Sequence, residues 1–205
     1  MNQLAYPRLS PWVMRLLVIN GVALLLMETV LTSPQLHGAL AFSPVAALAR
    51  PWTFLTYMFV HVSFWHLLFN GIALYFFGTA VESRMGSRSF ILFYLYCGVA
   101  AAIFALLLQN FVPVGPFVGA SGAILGVMVA FAMFWPDAEI IVFPIPMPIR
   151  ARTLVMALVA IDVVLSIWPM GGSVAHPAHV GGAVAGWLFF RLQQISRGAP
   201  AEPVR

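Results

Sequence analysis

The sequence predicts an all-α membrane protein built as a bundle of six transmembrane helices. Of its 205 residues, 62% are hydrophobic and 8% are charged, and the mean hydropathy is +0.97. A soluble domain carries about 25% charged residues, so a soluble fold is excluded. Six helices of ~20 residues each occupy roughly 120 positions, which leaves no room for a sizeable extramembrane domain.

Uncharged apolar runs of spanning length recur along the chain. The predicted spans cover residues 12–31, 63–80, 90–108, 119–135, 153–168 and 178–192. The connecting segments, predicted to be loops or turns, are residues 32–50, 82–88, 109–118, 137–152 and 169–177. Prolines at 144, 146 and 148 support the fourth of these breaks, because proline is not tolerated in a helix interior.

The predicted domain organisation is one membrane domain, residues 12–194, between cytoplasmic tails at 1–11 and 195–205. The first span could instead be a signal peptide cleaved near Ala39-Leu40-Ala41, but that site lies too far beyond the apolar run. We therefore expect the first apolar run to be a transmembrane helix of this domain.

All ten Lys and Arg positions are arginines, and they lie between the apolar runs instead of forming a block. A nucleic-acid-binding face needs clustered basic residues, so the net charge of +4 is interpreted as a topology signal. With both termini in the cytoplasm, nine of the ten arginines are cytoplasmic and only Arg50 lies outside. The single cysteine, Cys97, excludes a disulfide framework and a cysteine-based metal site.

Ser121 is the first candidate for chemistry, within Gly119-Ala120-Ser121-Gly122 at the start of an apolar helix. Free N–H groups and the helix dipole at such a start can stabilise an oxyanion. By itself the motif is more typical of an N-cap serine among small packing residues.

His179, Gly182 and Gly186 share one face of the sixth span, because they are spaced at i, i+3 and i+7. The two glycines allow a close approach by another helix, and the fourth span offers a matching face with Gly122 and Gly126. If the faces meet, His179 lies against Ser121 and can serve as its general base. A partly solvated histidine at the membrane boundary is the structural alternative.

His66 and Asn70 are four residues apart on the second span, and both can donate hydrogen bonds to an oxyanion. They could instead join helices as polar packing residues. A zinc site with His61 and His66 lacks a third ligand nearby in the sequence.

Nucleophile, base and oxyanion donors together indicate a membrane-embedded hydrolase with a two-residue catalytic unit. Asp162, near the middle of the fifth span, is the candidate third member. His176 precedes Pro177, which favours a loop conformation, so His179 is preferred as the base.

The ordered set of motifs resembles the rhomboid family of intramembrane serine proteases, over residues 52–186. The motifs at family spacing are His66-x-x-x-Asn70, Gly119-x-Ser121-Gly122 and Ala178-His179-x-x-Gly182-x-x-x-Gly186. Val81-Glu82-x-Arg84-x-Gly86 and Phe143-Pro144-Ile145-Pro146 are also similar to the family.

The resemblance implies that Ser121 is the nucleophile and His179 the base, with His66, Asn70 and the Ser121 N–H forming the oxyanion hole. It implies auxiliary, structural roles for His61, Gly119, Gly122, Gly182 and Gly186. Two positions depart from the family pattern: Thr53 replaces an arginine found after the tryptophan in many bacterial members, and Leu125 replaces an aromatic residue. Neither departure removes a reacting group.

The implied function is a serine endopeptidase that cleaves transmembrane helices of other membrane proteins. It would lie in the cell (inner) membrane, with its active site opening to the outer face and the lipid bilayer around it. No cofactor, metal or nucleic acid is expected. The alternative is a catalytically inactive rhomboid-like chaperone or binding protein, which the presence of both Ser121 and His179 disfavours.

The arginine distribution predicts that segments 82–88 and 137–152 are cytoplasmic and that 169–177 is external. In a Cys97→Ala background, an impermeant maleimide added outside intact cells should label a cysteine introduced only in the third of these segments. External labelling within 137–152 would overturn the six-span topology.

Overall fold

The computed structural model describes residues 9–142, 144, 146–168 and 175–196. Of these, residues 194–196 are described by their backbone only. Most of these residues are helical. Within them, three helices are long and apolar enough to cross a membrane: Pro11–Thr29, Phe64–Met85 and Ser87–Leu108. The chain is therefore a multi-pass, all-α membrane protein, while the count of six spans and the cytoplasmic termini stay predictions. Most of the two predicted tails lies outside the described residues.

Nine α-helices are present in the described part of the chain. They are α1 (Pro11–Thr29), α2 (Pro34–Leu40), α3 (Thr53–Thr56), α4 (Phe64–Ala73), α5 (Thr79–Met85), α6 (Ser87–Leu108), α7 (Ser121–Phe134), α8 (Ala151–Ile167) and α9 (His176–Ser196). A π-helical segment, Leu74–Gly78, joins α4 to α5 without a break. Two-residue strands, β1 (Glu139–Ile140) and β2 (Ile149–Arg150), pair antiparallel within the connection between α7 and α8.

The segment predicted as a loop over residues 32–50 is partly helical, and that prediction was wrong in this respect. Pro34 begins α2, and Pro44 begins a short 3₁₀ turn, Pro44–Ala46. Proline fits the first turn of a helix because the N–H that it lacks would have no partner there. The two prolines therefore start helices here instead of only breaking them.

The tight turn predicted at residues 82–88 is shorter than its predicted bounds, because α5 continues to Met85 and α6 starts at Ser87. Only Gly86 separates the helices, and its φ of +83° is a conformation that suits glycine. The helix of the second span is thus five residues longer than its predicted end at residue 80.

Glu82 is a buried carboxylate that caps the first helix from a distance. It accepts hydrogen bonds from Ser10 Oγ at 2.5 Å, from the Val13 backbone N–H at 3.0 Å and from Ser87 Oγ at 2.6 Å. The Trp12 N–H also donates to it, at 3.0 Å. A helix start has unpaired N–H groups and a positive dipole end, so one carboxylate satisfies α1 and ties it to the α5–α6 junction.

Helix α7 lies at the centre of the bundle and packs against α6 and α9. Seven consecutive residues, 122–128, are buried, so protein surrounds the helix on every face. With 14 residues it is about 21 Å long, shorter than the ~30 Å hydrocarbon core of a bilayer. At least one of its ends therefore lies within the thickness of the membrane.

Glycines bring the backbones of α7 and α9 into direct contact. A Cβ at Gly182 would overlap the carbonyl oxygen of Gly122, and a Cβ at Gly186 would lie 2.6 Å from the carbonyl oxygen of Gly126. On its other side, α7 meets α6, where a Cβ at Gly126 would lie 2.6 Å from Cys97 Sγ. The small-residue faces of the fourth and sixth predicted spans thus meet in the structure.

Replacing Gly182 tests how much the fold depends on this contact. Gly182→Ala should destabilise the protein by about 1–3 kcal/mol or more, because the added methyl group forces two backbones apart. The matched control is Gly21→Ala in α1, where a Cβ meets nothing within 4 Å. Alanine favours a helix there, so the control should keep or gain stability. The measurement is the midpoint of thermal unfolding in detergent, monitored by circular dichroism. Equal midpoints for the two variants would contradict the packing argument.

Candidate active site

Ser121 is the first residue of α7, and the chain that leads to it is tightly held. Phe42 and Phe117 exchange backbone hydrogen bonds of 3.0 and 2.8 Å, and the Gly119 N–H donates to the Tyr57 carbonyl at 2.8 Å. Gly119 has φ +114°, and a Cβ there would come within 2.5 Å of the His66 ring. Glycine is therefore required at position 119 both by conformation and by the space that the His66 ring occupies.

The structure brings Ser121 and His179 into hydrogen-bonding distance. Ser121 Oγ lies 2.6 Å from His179 Nε2, and both side chains are half-buried. The pair sits beside the glycine contact, because Gly122 follows Ser121 and Gly182 is one helical turn after His179. The backbone contact between α7 and α9 thereby fixes the separation of the two side chains.

Asp162 on α8 lies against both histidines of α9. Its Oδ1 atom is 3.0 Å from His179 Nδ1 and 2.5 Å from His176 Nδ1, and the residue is 8% exposed. Sequence reasoning offered Asp162 only as a candidate third member. The signal that could have raised it further is the cost of an ionisable group inside a membrane helix, which requires a partner.

His176 is not in a loop, as its position before proline predicted, but is the first residue of α9. Pro177 is accommodated because it falls in the first helical turn, where no N–H is needed. Three residues apart on one helix, His176 and His179 face the same carboxylate.

A cavity of about 440 Å³ opens beside these groups. His66, Ser121 and His179 line it, together with Tyr57 and residues 116–119. Four buried nitrogens in this region have no hydrogen-bond partner: His66 Nδ1, Asn70 Nδ2 and both ring nitrogens of His61. Asn70 is not among the residues that line the cavity, but its Nδ2 atom would lie 3.6 Å from a Cβ at the cavity-lining Gly119. Of the two predicted oxyanion donors, His66 therefore lines the cavity, and Asn70 lies next to one of its lining residues.

His61 packs edge-on against His66, with ring centroids 5.0 Å apart. It is buried and precedes α4, outside the spanning helix. Burial, together with the neighbouring His66, lowers the pKa of His61 to about 4. Its ring is therefore neutral near pH 7 and supports the His66 ring by packing.

The two departures from the family pattern occupy buried positions. The Thr53 hydroxyl donates to the Arg50 carbonyl at 2.7 Å, and Trp52 Nε1 donates to the Ala39 carbonyl at 2.8 Å. The Thr53 bond is internal to this segment, whereas the Trp52 bond, with one from Thr56 Oγ1 to the Leu40 carbonyl at 2.9 Å, holds it against α2. Leu125 is buried in α7. Residues 169–174 of the predicted loop, and two positions of the Phe143-Pro144-Ile145-Pro146 motif, lie outside the described residues.

One group of three potential metal ligands is found in the part of the chain that the structure describes. It consists of Asp162, His176 and His179, whose ligand atoms lie within 4.8 Å of one another. The carboxylate and imidazole donors suit zinc. The two Nδ1 atoms already lie at hydrogen-bonding distance from one carboxylate oxygen, so the group is also satisfied without a metal.

Comparison with known proteins gives consistent matches. The Rhomboid domain family model matches residues 48–193. Rhomboid protein 1, mitochondrial, of Saccharomyces cerevisiae is 36% identical over 136 residues, which is 64% of this chain and 38% of that protein. Rhomboid protease AarA of Providencia stuartii is 29% identical over 154 residues, 67% of this chain and 54% of that protein. Rhomboid protease GluP of Bacillus subtilis is 41% identical over 75 residues, 37% of this chain and 14% of that protein. The chain thus spans about half of these relatives' length or less.

Proposed function

The chain belongs to the rhomboid family, and from that premise we propose that it is an intramembrane serine endopeptidase that hydrolyses peptide bonds in or near transmembrane helices of other membrane proteins. One observation carries the proposal: the 2.6 Å approach of Ser121 Oγ to His179 Nε2 at a cavity large enough to admit a peptide segment. Two of the relatives are named as proteases, which supports the same activity here.

Ser121 and His179 carry the proposed reaction as nucleophile and base. The Ser121 oxygen bonds to the substrate carbonyl carbon while its proton passes to His179 Nε2. The carbon–nitrogen bond then breaks, and the same proton goes to the leaving amine. Water next attacks the acyl-enzyme ester with His179 again as the base, which releases a carboxylate and restores the serine.

Negative charge develops on the carbonyl oxygen in both steps, and three donors are proposed to stabilise it. These are the His66 side chain, the Asn70 side chain and the Ser121 backbone N–H at the start of α7. The Asn70 Nδ2 group supports the assignment, because a buried donor without a partner is costly unless a ligand uses it, and His66 Nδ1 is also buried without a partner. The dipole of α7 favours the same negative charge.

Hydrolysis needs water, which the hydrocarbon core excludes, so the cavity must connect to an aqueous phase. Since α7 is too short to cross the bilayer, its start can lie below the membrane surface at the bottom of such a cavity. By the arginine distribution, this opening is assigned to the outer face of the cell (inner) membrane. A substrate helix must unwind locally before attack, because its carbonyl groups are otherwise hydrogen-bonded, so Gly, Pro or polar residues near its outer end should favour cleavage.

Ser121→Ala should abolish cleavage of a model single-span protein by the purified enzyme and should leave the thermal midpoint nearly unchanged. The reason is that no other group can form the acyl enzyme. The matched control is Ser83→Ala, whose hydroxyl donates to the Thr79 carbonyl on α5, and it should retain wild-type activity. Cleavage by Ser121→Ala above about a thousandth of the wild-type rate would rule out Ser121 as the nucleophile.

Asn70→Ala should lower kcat by about 10²–10³ with a smaller change in KM, as expected for loss of one oxyanion donor. His66 and the Ser121 backbone N–H remain, so activity should be reduced and not abolished. The matched control is Asn110→Ala, which removes an exposed amide and should have no effect. A change confined to KM would show that Asn70 binds the substrate in its ground state.

A further inference from the structure

We propose that Asp162 is a positioning residue for His179, so that three helices supply the nucleophile, the base and the carboxylate that orients the base. The inference rests on the proposed function, because it concerns how the base of that reaction is oriented. Nothing in the Ser–His dyad requires an acid on α8. The three side chains nevertheless form a continuous series. Ser121 Oγ lies 2.6 Å from His179 Nε2, and His179 Nδ1 lies 3.0 Å from Asp162 Oδ1.

The carboxylate determines which ring nitrogen of His179 carries the proton. An ionised carboxylate can only accept hydrogen bonds, so the nitrogen that faces it, Nδ1, must hold a hydrogen. In the neutral ring this leaves Nε2 with a free lone pair directed at the Ser121 hydroxyl. Without the carboxylate, the ring can take the other tautomer, in which Nε2 is protonated and cannot accept the serine proton.

His176 gives the carboxylate a second donor. Its Nδ1 lies 2.5 Å from the same Asp162 oxygen. Burying an ion is unfavourable unless hydrogen bonds replace its hydration, and Asp162 lies on a helix whose adjacent residues, Ile161 and Val163, are exposed and apolar. The hydrogen bond from His176 thus helps to keep Asp162 ionised next to His179.

Two other roles are compatible with the same contacts and give different results. Asp162 could simply clamp α8 to α9, in which case its loss would lower stability and activity together. It could instead be a metal ligand with His176 and His179, in which case activity would depend on the metal. A positioning role predicts a loss in kcat without a loss of stability and without dependence on a metal.

The decisive variant is Asp162→Asn, which keeps the shape and removes the charge, measured in wild-type and variant enzyme purified in the same detergent. We expect kcat to fall by ~10²–10⁴-fold with KM changed less than about threefold. The rate of labelling by a fluorophosphonate should fall in parallel, because a carboxylate that fixes the tautomer of His179 acts on the chemical step. Asp162→Glu, which retains a carboxylate, should have a kcat at least about tenfold higher than that of Asp162→Asn. Should the asparagine variant not fold, Asp162→Ser provides the second neutral replacement, with the same expected outcome.

The matched control is Ser166→Ala, one turn along α8. Ser166 is buried and donates to the Asp162 backbone carbonyl at 2.7 Å, so its loss disturbs the same helix without touching either histidine. Its kcat should stay near wild type. His176→Ala removes only one of the two donors to the carboxylate and should cost roughly three- to tenfold in kcat. EDTA should leave every rate unchanged.

Several results would overturn the inference and separate it from the proposed function. Wild-type kcat and labelling rate in folded Asp162→Asn, or an equal loss in Ser166→Ala, would reject the positioning role while leaving the protease activity intact. Loss of activity in EDTA that zinc restores would reassign Asp162 to a metal site. Absence of fluorophosphonate labelling in the wild-type enzyme would reject both the inference and the proposed function.

Discussion

The direct backbone contact between α7 and α9 is the constraint on which the rest of the structure depends. Glycine pairs allow the two helices to approach until the Gly182 position meets the Gly122 carbonyl. Ser121 and His179 are on the first turns of these helices, immediately beside that contact. A side chain as small as a methyl group at the crossing would move the helices by an amount that matters to a hydrogen bond of 2.6 Å. The same packing that stabilises the fold therefore sets the geometry of the site.

The sequence allows prediction of those features that depend on which residues share one face of a helix. The spacing of His179, Gly182 and Gly186 placed them together, and the matching face of α7 followed from Gly122 and Gly126. The contact of Asp162 with two histidines was harder to foresee, because it depends on the rotation of α8 about its axis, which a nearly uniform apolar sequence does not specify.

Prolines caused the clearest errors of sequence reasoning, and for one physical reason. A proline signals either the end of a helix or its first turn, since its missing N–H is harmful in the interior and harmless at the start. Pro34 and Pro177 are both at helix starts, so α2 was missed and His176 was assigned to a loop. For His176 the error concealed a contact with Asp162, because only the helical position directs its ring toward α8.

The buried Glu82 has a consequence for how the molecule assembles. The groups that it satisfies, at Ser10, Trp12 and Val13, precede it by about 70 residues, so the first helix exists during synthesis before its capping carboxylate does. Until α5 arrives, the amino end of α1 must find its hydrogen bonds in water and headgroups at the membrane surface. Docking of Glu82 replaces that hydration with fixed protein contacts. These hydrogen bonds can form only when the chain has returned to the side of the membrane on which α1 begins.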